Sequence, residues 1–268
     1  MAWCEETAAA QVVLIRDFRS ALGKLVFVAG PLFHLRPFLG PAFSWASAAA
    51  GGTAMSPPIA VRATIKWVGI LLRTFPTLRC QRGGTDHGEL FRVDAKAEGD
   101  DNAWIGGWAT SPEPNTRTAK WFACRVDPVT FPWVFEKGQP FKVIAALKLL
   151  ATLCGVMLLV PEADYRDGLA RVRFSAGADN QSNEHLVRKM MTTKLPLGLV
   201  CMELAAQLSH MHLDLNLVWR SRTENTEADD LTNQKFEAFD PALRLDTAGV
   251  PAKFRCMTEL ERSTREWR

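Results

Sequence analysis

Glu89-Leu90-Phe91-Arg92-Val93-Asp94-Ala95-Lys96, followed after a polar break by Ala103-Trp104-Ile105-Gly106-Gly107-Trp108-Ala109, is the stretch on which the fold turns. Both runs carry β-forming residues and are bounded by Gly, Asp or Asn, as strands joined by a turn are. A third run of this kind, Thr118 to Val126, makes an antiparallel meander the economical reading. Gly106 and Gly107 would weaken the middle strand unless another backbone or a ligand comes close there.

Towards the C-terminus the pattern changes to alternating helices and strands. Phe141 to Leu159 reads as a helix, residues 170–176 as a short strand, and Asn183 to Thr192 and Pro196 to Ser209 as two helices, with Pro196 suited to a helix start. Met211, Leu213, Leu215 and Leu217 alternate with polar residues up to Trp219, the pattern of a half-buried strand, and a last helix starts near Asn225. The order β-β-β-α-β-α-α-β-α predicts an α/β (α+β) fold with one mixed five-stranded sheet and flanking helices.

Towards the N-terminus the chain reads as a small helical segment. Apolar runs at Gln11 to Ile15 and Ala21 to Phe27 are followed by Pro31, Pro37 and Pro41, which are expected to break any long helix. The small residues from Ala46 to Thr53, with Pro57 and Pro58, read as a linker, and Ile59 to Phe75 as a further helix stopped by Pro76. The expected division is 1–85 helical, 86–240 the sheet-bearing domain and 241–268 a tail.

Bulk properties exclude some classes. With 268 residues, 47% of them hydrophobic, the chain is not wholly disordered. The formal charge of +3 permits a polyanionic partner without naming one. Cysteines at 4, 80, 124, 154, 201 and 256 form no CxxC pair, which argues for a reduced intracellular protein without a structural zinc site. His210 and His212 fall on one side of the expected strand but lack a third ligand nearby, so an ordinary strand face is the preferred reading. Glu5 and Glu6 with no basic start argue against a secretory leader, and a nuclear or cytoplasmic location is expected. Ile144 to Val160 is apolar except for Lys148; it is shorter than the roughly 20 residues of a spanning helix and charged near its middle, so a buried helix is preferred over a membrane-associated one.

Three acids occupy places that such a sheet can bring together: Asp94 in the first strand, Asp179 just past the fourth, and Asp229 in the last helix. Clustered carboxylates hold two divalent ions about 4 Å apart, which activate a water and stabilise the leaving oxygen of a phosphodiester. Each has a plainer reading. Asp94 charges an edge strand, Asp179 caps the following helix, or Asp229 favours a helix N-terminus.

The run from Arg92 to Glu98 with Trp104 to Trp108 resembles the first strand and hairpin of the ribonuclease H domain of retroelement reverse transcriptase polyproteins. Phe174 to Asn183 is similar to that family's fourth strand with its aspartate, and Asn225 to Asn233 to its last-helix motif, in which an Asn precedes the metal-binding Asp by four residues. The resemblance spans about 145 residues, from roughly Glu89 to Thr232. It implies two-metal hydrolysis, by Mg²⁺ or Mn²⁺, of the RNA strand of RNA–DNA hybrids. It also implies that Asp94, Asp179 and Asp229 are the catalytic metal ligands and that Asn225 lies close to substrate.

The family also places a glutamate in the first helix, where this chain has Lys148 within Ala146 to Ala151. Four carboxylates would give a formal −4; three and an ammonium give −2. Lys148 can pair with Asp94 or Asp179 in a cation's place, or turn out to solvent and leave one weakly held ion; Glu98 is an available substitute ligand. Cleavage is therefore expected to be weak or absent, and the alternative is a catalytically dead nucleic-acid-binding module.

The partner implied is an RNA–DNA hybrid or other duplex read by shape, with phosphate contacts from Lys96, Arg188, Lys189, Arg220 and Arg222, and no membrane. An integrase-like site using Glu227 is a weaker rival. Ser20 to Gly30 and Leu35 to Phe43 resemble the thumb and connection region of retroelement reverse transcriptases, so residues 1 to about 85 read as a remnant without the polymerase palm, with Arg36, Arg62, Lys66 and Arg73 either along nucleic acid or on a solvated helix face.

Overall fold

The computed structural model describes residues 2–50, 52–74, 86–136, 138–161 and 172–265. These group into two compact units, one within 1–80, 189–206 and 255–268 and the other within 81–188 and 207–254.

The first unit begins with helices α1 (Ala2–Ala9), α2 (Ile15–Val28), α3 (Arg36–Ala48) and α4 (Ile59–Thr74), with two-residue strands β1 (Val13–Leu14) and β2 (Ala54–Met55) paired antiparallel. Pro41 does not break α3. Pro37 sits in the first turn, where its missing N–H goes unused, and Pro41 removes only one interior bond, so the helix continues to Ala48 and takes in the start of the expected linker. Ile15, Phe18, Leu22, Phe38 and Ile65 are buried, with the Phe18 ring edge-on to Trp45 at 4.9 Å. Phe75 and Pro76 lie outside the described residues.

The second unit is built on strands β3 (Asp86–Glu98), β4 (Asn102–Ala109) and β5 (Trp121–Arg125), the short helix α5 (Pro132–Phe135), α6 (Ile144–Leu159), β6 (Val172–Ala178) and α7 (Gln181–Lys189). After α8 (Leu197–His210) come β7 (Leu213–Trp219) and α9 (Thr226–Thr232). The sheet order is β5-β4-β3-β6-β7, antiparallel across β5, β4 and β3 and parallel across β3, β6 and β7. This is the mixed five-stranded α/β sheet with flanking helices that the sequence predicts. Strand β5 starts later than expected because the Thr118 and Ala119 amides turn back onto the Asn115 carbonyl. His210 and His212 do not share a strand face: His210 ends α8, and His212 has φ +55° before β7 begins.

Helices cover both faces of the sheet, and strand alternation shows which covers which. Phe91 pairs with Ala109 and Asp94 with Gly106, three residues apart along β3 and thus on opposite faces. On Phe91's face α6 comes so close that a Cβ at Gly155 would stand 2.5 Å from the Phe91 ring. On the other face Leu231 of α9 lies where a Cβ at Gly106 would come within 2.8 Å of it. The glycine that weakens β4 is therefore what lets α9 dock. Helix α6 is apolar except for Lys148 and, with its preceding turn, makes a 20-residue segment (Pro140–Leu159) long and apolar enough to cross a membrane; 67% of its apolar window is buried within the protein.

The free side of β5 is covered by the chain after α9. Trp121 Nε1 donates to the Asp240 carbonyl at 2.7 Å, and the Leu245 amide to the Trp121 carbonyl at 2.7 Å. The Arg244 guanidinium lies 5.1 Å from the Trp121 ring and 5.2 Å from that of Phe236, and donates to the Ala123 carbonyl. In the first unit a last helix, α10 (Met257–Arg265), starts on the fully buried carboxylate of Glu203, which accepts from the Arg255, Cys256 and Met257 amides at 2.8–2.9 Å.

Candidate functional site

Parallel pairing of β3 with β6 places two of the predicted acids side by side. Val93 pairs with Ala178, the last residue of β6, so Asp94 and Asp179 are the next residues in register, where the sheet opens. Carboxyl ends of parallel strands are where open α/β sheets place their ligand crevices. The plainer readings of these two acids do not hold. Strand β3 is central, paired on both sides, and Asp94 is buried. The cap of α7 is Asn180, whose Oδ1 accepts from the Asn183 amide at 3.1 Å, and not Asp179.

The gap past the end of β6 is filled from the first turns of α6. Lys148 Nζ lies 3.0 Å from Asp94 Oδ1 and donates to Asp179 Oδ1, with side-chain exposures of 14% for the lysine, 5% for Asp94 and 14% for Asp179. The contact with Asp94 is an ion pair without hydrogen-bond alignment, since Oδ1 has no hydrogen-bond partner. The lysine thus turns inward to the acids rather than out to solvent. Asn183 holds this end of α6 in place, its Nδ2 donating to the Ala145 carbonyl at 2.9 Å.

Burial pushes the Asp94 carboxyl up to about 6; Lys148 pulls it down and the neighbouring Asp179 pushes it up, and burial outweighs the ion pair. Asp94 therefore keeps a tighter hold on a proton than an ordinary carboxyl does.

Asp229 is held differently. It lies in the first turn of α9, its Oδ2 accepting from Asn233 Nδ2 at 2.9 Å and its Oδ1 3.4 Å from Arg222, which is 81% exposed. Neither Asp94 nor Asp179 is among its described partners. Asn225, four residues earlier, is buried and donates from Nδ2 to the Val93 carbonyl at 3.0 Å, beside Asp94; its Oδ1 has no hydrogen-bond partner.

The predicted cationic contacts are mostly paired. Lys96 donates to Asn233 Oδ1 at 2.7 Å and pairs with Glu98 at 2.9 Å, so Glu98 does not join the acids around Lys148. Arg220 binds Glu89 through two nitrogens, and Arg92 bridges Glu89 to the Glu224 carbonyl. Asn233, which ties Asp229 to Lys96, was missed in the sequence, although its spacing of four from Asp229 on a helix is a usable signal.

Two divalent ions do not fit this arrangement. An ammonium stands against both strand-end carboxylates, and among the described residues no group of three or more His, Cys, Asp or Glu is placed to hold a metal ion.

No protein-family model matches the chain, and no curated protein matches it. Among solved structures it is similar to RNase H1 from the halophilic archaeon Halobacterium salinarum, at 14% identity and TM-score 0.37 over 57% of this chain and 98% of that one. It is also similar to the N-terminal RNase H domain of a Mycobacterium tuberculosis protein solved as a fusion with maltose-binding protein, at 18% identity and TM-score 0.34 over 55% of this chain and 94% of that one.

Proposed function

We propose that residues 89–232 form a ribonuclease H-like module of retroelement origin that binds RNA–DNA hybrid or other duplex nucleic acid inside the cell and has lost metal-dependent cleavage. One observation carries this reading: Lys148 occupies, as an internal cation, the place between Asp94 and Asp179 where a divalent ion would be held. The ammonium offsets the charge of the two carboxylates, and its own charge opposes entry of a dication.

In this reading Asp94, Asp179 and Lys148 shape the floor of the duplex site without chemistry. The exposed Arg222 and the half-buried Lys96 contact phosphates, Asn225 holds the strand end beside them, and Asp229 orients Arg222. Helices α1 to α4 are read as a remnant of a polymerase thumb and connection region. No membrane contact is needed, since most of α6 is covered by protein.

The second reading, weak Mg²⁺- or Mn²⁺-dependent hydrolysis by Asp94, Asp179 and Asp229, rests on the sequence resemblance. A labelled RNA–DNA hybrid separates the two. The expected result is binding in EDTA that weakens steeply with salt, with no cleavage on adding Mg²⁺ or Mn²⁺, and cleavage appearing only in Lys148→Glu. Divalent-dependent cleavage by the unaltered chain, unchanged in Lys148→Ala, would sink the proposal, as would absence of any hybrid binding.

A further inference from the structure

Two glycines shape a cavity in the helical unit. At Gly40 helix α3 touches the segment before α8 backbone to backbone: a Cβ there would lie 2.2 Å from the Thr192 carbonyl oxygen. One turn further along α3, at Ser44 and Trp45, the two segments have parted and α4 forms the third wall. Gly198, in the first turn of α8, also lines the space and puts no side chain into it. The result is a cavity of about 160 Å³.

Its floor is apolar and buried, made by Trp45, Val61, Leu199, Met202 and Leu260. Thr64 also lines it, but its hydroxyl is turned back onto the Ala60 and Val61 carbonyls of its own helix at 3.0 Å. Ser44, Ala48 and Thr193, all exposed, form the mouth, and among the described residues no charged one lines the cavity. An unfilled apolar space of this size is unusual in close-packed interiors. Cavities of roughly 150 Å³ with aliphatic and aromatic walls stay dry and take up benzene.

We propose that this cavity is a binding site for a small uncharged apolar molecule, an aromatic ring or a short branched hydrocarbon group. Volume and lining explain the choice: about 160 Å³ is room for a ring-sized body, the hydroxyls of Ser44 and Thr193 accommodate a single neutral polar substituent, and the described lining residues carry nothing to neutralise a charge. The site is independent of the nuclease-like sheet and of the reading given to Lys148.

Benzene, with benzoate as its charged analogue, tests the site on the full chain by thermal unfolding. At about ten times its Kd, benzene is expected to raise Tm by about 3 °C in a saturable way, with no response to benzoate. Gly198→Leu should abolish the benzene response while folding normally, because a Cβ at Gly198 meets only ordinary contacts at 3.7–3.8 Å and the added side chain fills the space. Ala48→Phe, at the exposed mouth, is a second block that leaves the core untouched. The proposal is overturned by the absence of a saturable shift in the unaltered chain, by an equal response to benzoate, or by a full benzene response in either variant.

Discussion

Asp94 and Asp229 were expected at one metal-binding point, and the chain surrounds them in opposite ways. Asp94 stands on the central strand, 4% exposed, against a lysine from the opposite layer, with its carboxyl pushed up to about 6 chiefly by burial. Asp229 stands on the first turn of a helix, partly exposed, with an amide and a solvated guanidinium for company. The plain reading, an acid favouring a helix N-terminus, suffices for Asp229 and fails for Asp94. A carboxylate that the topology forces out of water must be neutralised from within; one at a helix start is already stabilised by backbone amides and solvent.

The sharpest break in that contrast is Lys148→Met. It strands Asp94 and Asp179 together without a counter-charge, and we expect a loss of about 3–5 kcal/mol in urea unfolding at pH 8. The loss should shrink towards pH 5, where Asp94 takes up its proton. Unchanged stability at pH 8 would mean that the ion pair is not formed.

Next is the pH response of Asp94 itself. Because its folded pKa of about 6 is raised above the ordinary 3.8, its contribution to stability is complete below about pH 4 and is lost as pH rises through 6, by about 3 kcal/mol. Asp94→Asn should flatten the stability profile over that window. A somewhat smaller effect is expected of Gly106→Ala, which sets a methyl against Leu231 and pushes α9 from the sheet, at about 1–3 kcal/mol by calorimetry. The smallest is Asp229→Asn, which gives up a pair to a largely exposed arginine and a favourable helix-start charge, less than about 1 kcal/mol. If it instead matched Lys148→Met, the contrast between the two acids would be false.

The sheet was legible because its signals are local. Alternation at Leu213 to Leu217 and the glycine-bounded hairpin each speak for their own strand, whereas the β3–β6 register appears only in the folded sheet. The approach of Lys148 to the acids was legible as one of two options, since the sequence fixes its helix but not the side to which a long side chain turns. Other features lay beyond reach because their partners are remote. Glu203 sits in an apolar helix and is neutralised by amides more than fifty residues later. The cavity beside Gly198 depends on where three helices diverge. Helix α3 was misjudged because a proline's cost depends on its position within the helix, which residue type alone does not reveal.

The stretch from Asp240 to Leu245 acts as a selvedge on the woven sheet. Excising this stretch alone, with the chain after it kept, would leave every strand in place yet bare the outer rim of β5, and unprotected rims recruit other chains. The excised form should turn up in the pellet of a centrifuged lysate, while the full chain stays in the supernatant.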